Sequence, residues 1–266
     1  MSNTPSTTPT AVMTEIQGIR TSFLVAGEGD PVLLLHGWGA TSVLVWPLAE
    51  KLAGRGFRVY VPDLPGFGKT EAPPIAWSVF DYANFVLAFM DAQDIQQAHF
   101  FGHSFGGRLG LILGAEHPER FQKMALADSA GVRPIPSKTS QFRLKTYKSI
   151  RNGLQAMGMT ALAELLRRWY NRRYGSADFQ AVSGVMRETF VNVVNQDLLA
   201  YAARVQPPTL LLWGEKDVDT PLSQAKLLEK TIPDAGLVVF DGAGHYSYIE
   251  RLADTARILD HFFRQA

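Results

Sequence analysis

Cysteine is missing from all 266 residues. That excludes disulfides, thiolate metal sites and a cysteine nucleophile, and leaves the redox compartment open. No apolar stretch is long enough to span a bilayer. Excess charge of one sign is also missing: 26 Lys and Arg face 25 Asp and Glu, a formal net +1. Taken over the whole chain, this points to neither nucleic acid nor a membrane surface. The six histidines are scattered without ligand spacing, so no metal site is expected. Met1 to Thr10 is rich in Ser, Thr and Pro and has no basic or apolar leader segment. Residues 1–13 are expected to form a disordered tail, with no secretory signal, on a cytoplasmic protein. The remainder suits one large α/β domain, or one such domain with an insertion.

What is present is organised around Phe101-Gly102-His103-Ser104-Phe105-Gly106-Gly107. Upstream, Ala98 to Gly102 is an apolar run that suits a buried strand. Downstream, Arg108 to Glu116 suits a helix. A strand, a tight turn bearing serine and a helix form the context of a nucleophile elbow. Gly102 and Gly106 flank Ser104 because a Cβ there would collide as strand and helix close together. The helix start offers backbone N–H groups and a positive dipole end to a developing oxyanion. Alone, the same pattern also fits a Gly-rich turn opening a packed helix.

The rest of the chain decides between them. Two strands are expected at Thr14–Arg20 and Ser22–Ala26. Val32 to Leu35 reads as a central parallel strand ending in His36-Gly37-Trp38-Gly39. Phe57 to Val61 is another, ending in Asp63-Leu64-Pro65-Gly66-Phe67-Gly68. Helical spacing predicts helices over Trp46–Ala53 and Ser78–Gln93, and Met124–Asp128 is a further strand. Alternating strand and helix argues for a parallel sheet covered on both faces. From about Gly131 to Val205 only helix-like segments occur. The alternation resumes with strands Thr209–Trp213 and Leu237–Phe240, and a last helix spans Leu252–Phe263. Residues 131–205 thus read as a helical insertion in one sheet.

An attacking serine needs a base, and the base needs an orienting carboxylate. In an open parallel sheet both belong at carboxyl ends of strands. Asp217 follows one late strand in Gly214-Glu215-Lys216-Asp217-Val218-Asp219-Thr220-Pro221. His245 follows the next in Asp241-Gly242-Ala243-Gly244-His245, whose glycines let the loop bend toward Ser104. Asp128, at the end of an earlier strand, is the rival carboxylate. Asp219 reads as a loop or capping residue. His36 is expected to hold its loop by hydrogen bonds, and His103 to pack behind the elbow.

These four motifs together resemble the α/β-hydrolase fold superfamily from about Thr14 to Phe263. The resemblance implies an α/β-hydrolase fold: a mostly parallel central sheet with helices on both faces and a helical cap inserted after the sixth strand. Residues 14–130 and 206–266 would form the core and 131–205 the cap. It further implies a nucleophile Ser104, base His245 and acid Asp217, with an oxyanion hole made by the backbone N–H groups of Trp38 and Phe105. His36, Gly37, Gly102, His103 and Gly106 would support elbow and loop. The G-x-x-D-x-x-x-P spacing favours Asp217 over Asp128. Members with an aspartate nucleophile, such as haloalkane dehalogenases and epoxide hydrolases, are disfavoured by Ser104.

The expected reaction is serine hydrolysis of a carboxylic ester of a small, largely apolar substrate, without cofactor. The expected partner is that small molecule, with no nucleic acid and no membrane, and the chain a monomer or homodimer. The alternatives are a carbon–carbon hydrolase of aromatic ring-cleavage products, which commonly carries Asn where this chain has His103, and a small-molecule receptor with vestigial hydrolysis. In the insertion, Trp169, Tyr170, Met157, Met159 and Phe190 are expected as cap core and cap-to-body packing. Gly131 to Gly175 carries ten basic residues and one acid, Glu164. Those charges read either as solvated outer helix faces or, around Arg143 to Arg151, as a cationic pocket mouth.

Overall fold

The computed structural model of the protein describes residues 8–133, 138–174 and 177–265. Its eight strands are β1 (Thr10–Ile16), β2 (Ile19–Ala26), β3 (Asp30–Leu35), β4 (Phe57–Pro62), β5 (Ala98–His103), β6 (Phe121–Ala127), β7 (Thr209–Gly214) and β8 (Ala235–Phe240). They form one sheet in the order β1-β2-β4-β3-β5-β6-β7-β8. β1 pairs antiparallel with β2, and β2 with β4; every other pairing is parallel.

Strand alternation divides the core into two layers. Leu33 and Leu35, Phe100, Met124 and Leu126, and Leu211 with Trp213 face α2 (Val79–Ala92), α3 (Phe105–Glu116) and α9 (Leu222–Thr231). Val32 and Leu34, Phe101, Ala125 and Ala127, and Leu212 face α1 (Ser42–Ala53), α10 (Ser247–Glu250) and α11 (Leu252–Arg264). Each large apolar side chain fully buried this way contributes roughly 1.5–3 kcal/mol. Ser78 and Asp81 close a capping box at the start of α2, which fixes that helix end.

Between β6 and β7 the described residues form α4 (Lys138–Ala156), α5 (Thr160–Tyr174), α6 (Ala177–Ala181), α7 (Gly184–Asn195) and α8 (Leu199–Ala202). The insertion therefore follows the sixth strand. Two expectations from the sequence need correction. β1 begins at Thr10, inside the stretch expected as tail, because Thr10 to Ile16 pairs in register with Val25 to Ile19; residues 1–7 lie outside the described residues. The packing expected of the insertion also fails in part: Trp169, Met157 and Met159 are exposed, and with Trp169 on one apolar stripe of α5 so are Leu162 and Leu165. α4 and α5 pack on each other and touch the rest of the fold sparsely, so no third layer covers their outer face. Phe190, on α7, is buried as expected.

Candidate active site

The candidate residues all sit at carboxyl ends of strands. His36 follows β3, Ser104 follows β5, Asp128 follows β6, Asp217 lies beyond β7 and His245 beyond β8. β3 and β5 are neighbours although β4 intervenes in sequence, and such a reversal of strand order opens a crevice at the sheet edge.

Ser104 stands between strand and helix with φ 50° and ψ −105°, a strained backbone for a residue with a Cβ. Its neighbours make room for it. A Cβ on Gly102 would lie 2.5 Å from the Gly106 carbonyl, and one on Gly106 would lie 2.5 Å from that of Leu35. Backbone thus packs on backbone around the serine. The Ser104 N–H donates to the Ala127 carbonyl at 3.0 Å, and the Ser104 carbonyl accepts from Arg108 and Ala130 at 3.0 and 3.1 Å.

Ser104 Oγ lies 3.1 Å from His245 Nε2, and His245 Nδ1 lies 2.9 Å from Asp217 Oδ2. Asp217 Oδ1 accepts from the N–H groups of Asp219 and Thr220 at 2.8 and 2.9 Å, and the Thr220 hydroxyl reaches Oδ2 at 2.6 Å. Burial opposes charge on Asp217, but the bonds from His245 and Thr220 outweigh it and hold the carboxyl below its ordinary value. Burial likewise opposes charge on His245. The Asp217 bond, with the charges of Asp217, Asp128 and Asp219, outweighs it and raises the imidazole above 6.5. Asp128 is committed elsewhere. It accepts from Gly214 N–H at 2.8 Å and from the Ser247 N–H and hydroxyl at 3.1 and 2.6 Å. Burial pushes its carboxyl up to about 7 against those donors. Geometry therefore pairs His245 with Asp217 and leaves Asp128 joining β7 to α10.

Two further histidines hold the surroundings. His36 is fully buried, and burial lowers its pKa. It donates from Nδ1 to the Gly37 carbonyl at 2.8 Å and accepts at Nε2 from Leu64 N–H at 2.9 Å, tying the loop after β3 to the loop after β4. His103 is driven down to about 3 by burial and by the adjacent His245. Neutral at physiological pH, it donates from Nε2 to the His245 carbonyl at 2.8 Å. A Cβ on Gly37 would come within 2.9 Å of His103 Nδ1, so a larger residue here would push His103 out of its place.

A cavity of ≈ 520 Å³ opens on Ser104, walled by Trp38, Phe105, Phe190, Val193 and Tyr246. Phe105 is the first residue of α3, so its N–H has no partner within the helix. Arg108 is the one Lys or Arg among the described lining residues. It is buried and donates to the Val193 and Gln196 carbonyls, both at 2.7 Å. Asp178 and Asp219 add acidic groups to the wall. Asp217, Asp219 and His245 bring ligand-type atoms within 4.8 Å of one another. Both oxygens of Asp217 and both ring nitrogens of His245 are, however, already engaged by protein groups.

A family model described as the alpha/beta hydrolase fold matches residues 30–252, most of the chain and every residue above. The chain belongs to the α/β-hydrolase fold family. It is 31% identical to the 2-hydroxymuconate semialdehyde hydrolase of Pseudomonas sp. (strain CF600) over 264 residues, which cover 94% of this chain and 92% of that one. Among solved structures it is similar to a meta-cleavage product hydrolase from Pseudomonas fluorescens IP01, at 26% identity and a TM-score of 0.71, covering 95% of this chain and 97% of that one. It is similar also to an esterase from Exiguobacterium antarcticum, at 19% identity and a TM-score of 0.75, covering 96% and 100%. The last likeness speaks to fold alone.

Within this α/β-hydrolase, sequence reasoning missed three contributors. Thr220 supplies two of the four hydrogen bonds to Asp217; its signal was a Thr three residues after an Asp in a turn. Ser247 holds Asp128. Arg108 fixes the end of α7, and its signal was the one basic residue of α3, set inside its apolar run. Of the two readings of the basic segment, the cationic pocket mouth around Arg143 to Arg151 is not found: no residue of that stretch lines the cavity, and Arg143 instead lies over the Tyr174 ring at 4.0 Å.

Proposed function

We propose that this α/β-hydrolase cleaves a carboxylic ester of a small, largely uncharged substrate through an acyl-enzyme on Ser104. The observation that carries it is the relay from Ser104 Oγ to His245 Nε2 at 3.1 Å and from His245 Nδ1 to Asp217 Oδ2 at 2.9 Å, opening on the cavity. Ser104 Oγ attacks the carbonyl carbon as His245 Nε2 takes its proton. The imidazolium is stabilised by Asp217, whose charge is kept by its four hydrogen bonds. The oxyanion is received by the N–H groups of Trp38 and Phe105, a contribution of about 3 kcal/mol per donor. His245 returns its proton to the leaving alcohol. Water then adds to the acyl carbon, again deprotonated by His245, and the acid is released.

An uncharged substrate is supported by the cavity's electrostatics. Its one guanidinium is spent on two backbone carbonyls, while Asp178 and Asp219 face any incoming anion. A second reading, hydrolysis of a carbon–carbon bond in a ring-cleavage product, is favoured by the relative at 31% identity and the solved structure at 26%. Such products bear a carboxylate, which this cavity would have to receive without a free cation among its described lining residues. Turnover of neutral p-nitrophenyl esters of increasing chain length, measured beside a dienol carboxylate that is a vinylogous diketone, separates the two. The ester reading expects the higher kcat/KM for a neutral ester, with Ser104 carrying the label of a fluorophosphonate. A higher kcat/KM for the dienol carboxylate overturns it in favour of the second, and an active enzyme with no adduct on Ser104 removes both.

A further inference from the structure

The α4–α5 hairpin takes no part in the site at Ser104. Among its described side chains only Ala163 is buried. Phe142, Ile150, Met157, Leu165 and Trp169 are 73%, 51%, 75%, 63% and 57% exposed. Scattered exposed apolar residues are ordinary, but a concentration of them marks an interaction surface. A groove of ≈ 300 Å³ runs between the two helices, lined by Phe142, Ile150, Leu166, Trp169 and Tyr174. Tyr147 and Tyr170, stacked at 3.9 Å, also line it.

Charge on the same hairpin is one-sided. From Lys138 to Tyr174 there are nine Lys and Arg and one acid, Glu164, a net +8 in a chain whose total is +1. Glu164 lies 2.5 Å from Arg167 and 3.6 Å from Arg168, and one carboxylate cannot offset nine cations. Lys145, Lys148, Arg172 and Arg173 are exposed. Arg143 lies over the face of Tyr174, which leaves aromatic and cationic groups side by side.

Exposed Trp, Tyr, Phe and Leu beside a dense set of Lys and Arg is the composition of a helix that lies in a membrane interface. We propose that the α4–α5 hairpin docks the protein on an anionic lipid surface. The apolar groups enter the headgroup–acyl boundary and the Lys and Arg side chains meet the lipid phosphates and carboxylates. Charge chooses this occupant. A second copy docking hairpin to hairpin would set +8 against +8. An acidic protein would answer the cations and leave the exposed Ile150, Leu165 and Trp169 needing a separate apolar match. The expectation of no membrane partner came from the whole-chain charge, which averages this segment against an acidic body. Docking does not depend on which bond is hydrolysed at Ser104.

The full chain is mixed with vesicles of phosphatidylcholine alone or with about 30% phosphatidylserine, and the bound fraction is read by flotation. Binding is expected to be at least roughly tenfold stronger to the anionic vesicles, and to weaken as salt shortens the Debye length from ~10 Å at 0.1 M to ~3 Å at 1 M. Lys145→Glu with Lys148→Glu should lower it by roughly tenfold or more. Leu165→Ser with Trp169→Ser should lower it comparably. Both double variants should keep wild-type turnover of a soluble ester, which shows that they fold. As a check that needs neither double variant, anionic vesicles should shift the tryptophan emission to the blue, and Trp169→Phe should remove that shift while the other four of the five tryptophans remain. Equal binding to both vesicles, or binding that survives both double variants, overturns the proposal. So does a dimer in sedimentation velocity that Leu165→Ser with Trp169→Ser dissociates, because a second copy would then cover the face.

Discussion

The insertion between β6 and β7 has two apolar stripes of nearly the same spacing and opposite fate. On α7, Met186, Phe190 and Val193 are buried. Phe190 sets its ring 5.2 Å from Trp38, Thr189 accepts from Trp77 N–H at 3.0 Å, and Arg108 holds the Val193 and Gln196 carbonyls. On α5, Leu162, Leu165 and Trp169 have the helical spacing but stay exposed. The difference lies in what faces them. α7 lies over the carboxyl edge of the sheet, where Trp38 and Phe105 offer apolar surface and Arg108 offers donors. α5 faces only α4. Periodicity establishes that a helix has an apolar face; it does not say what covers that face.

The docked region should be intolerant of change and the hairpin tolerant. The largest effect is expected at Asp217. Asp217→Asn should lower kcat by roughly 10⁴, because the tautomer and charge of His245 depend on it. Asp128→Asn, whose oxygens bond Gly214 and Ser247 and not His245, should cost far less. Steady-state kinetics on both variants checks this, and a reversal would move the acid to Asp128.

Next comes Phe190→Ala. It removes a buried ring from the contact with Trp38 and should cost about 3 kcal/mol of stability, read from urea unfolding. A loss of about 1 kcal/mol or less would mean that α7 is as loosely held as the hairpin.

The parts legible in the sequence are those where one local rule acts. Ser104, Asp217 and His245 each follow an apolar strand run beside glycines, needed for close approach at Gly102, Gly106 and Gly214 and for a positive φ at Gly242, so residue type and place agree. The choice of Asp217 over Asp128 was legible as spacing, and the bond to His245 follows it. β1 was half hidden because it is an edge strand: Thr10 to Glu15 are exposed or half-buried, which leaves little apolar alternation to read. Thr220, Ser247 and Arg108 act through partners 3, 119 and 85 residues away, and their roles appear only once the loops meet. The exposure of α5 is likewise a tertiary fact, since the same stripe would be core beneath a third layer.

The pH profile gives a smaller effect, about tenfold per unit on the acid side. His245 must be neutral to accept the Ser104 proton, and its pKa is raised above 6.5. The acid limb of kcat/KM should therefore lie above 6.5 in the wild type and fall toward lower pH in whatever activity Asp217→Asn retains. The stability linkage runs the other way: the imidazolium's contribution is full below 6.5 and is lost as pH rises through the folded value. An acid limb at or below 6.5 would contradict the bond from Asp217 as the cause of the shift.

The smallest effect is expected from the largest side chain of the hairpin. Trp169 is 57% exposed; its nearest described ring is Tyr174, edge-on at 6.1 Å. Trp169→Ala removes more surface than Phe190→Ala, yet more than half of that surface stays in water, so the loss of stability should be about 1 kcal/mol, well below that of Phe190→Ala. Turnover of a soluble ester should not change, because Trp169 does not line the cavity at Ser104. The two alanine variants, run side by side in urea, measure the difference between the stripes directly. A loss for Trp169→Ala that approaches that of Phe190→Ala would place the α5 stripe against something in solution and end the contrast between the two halves.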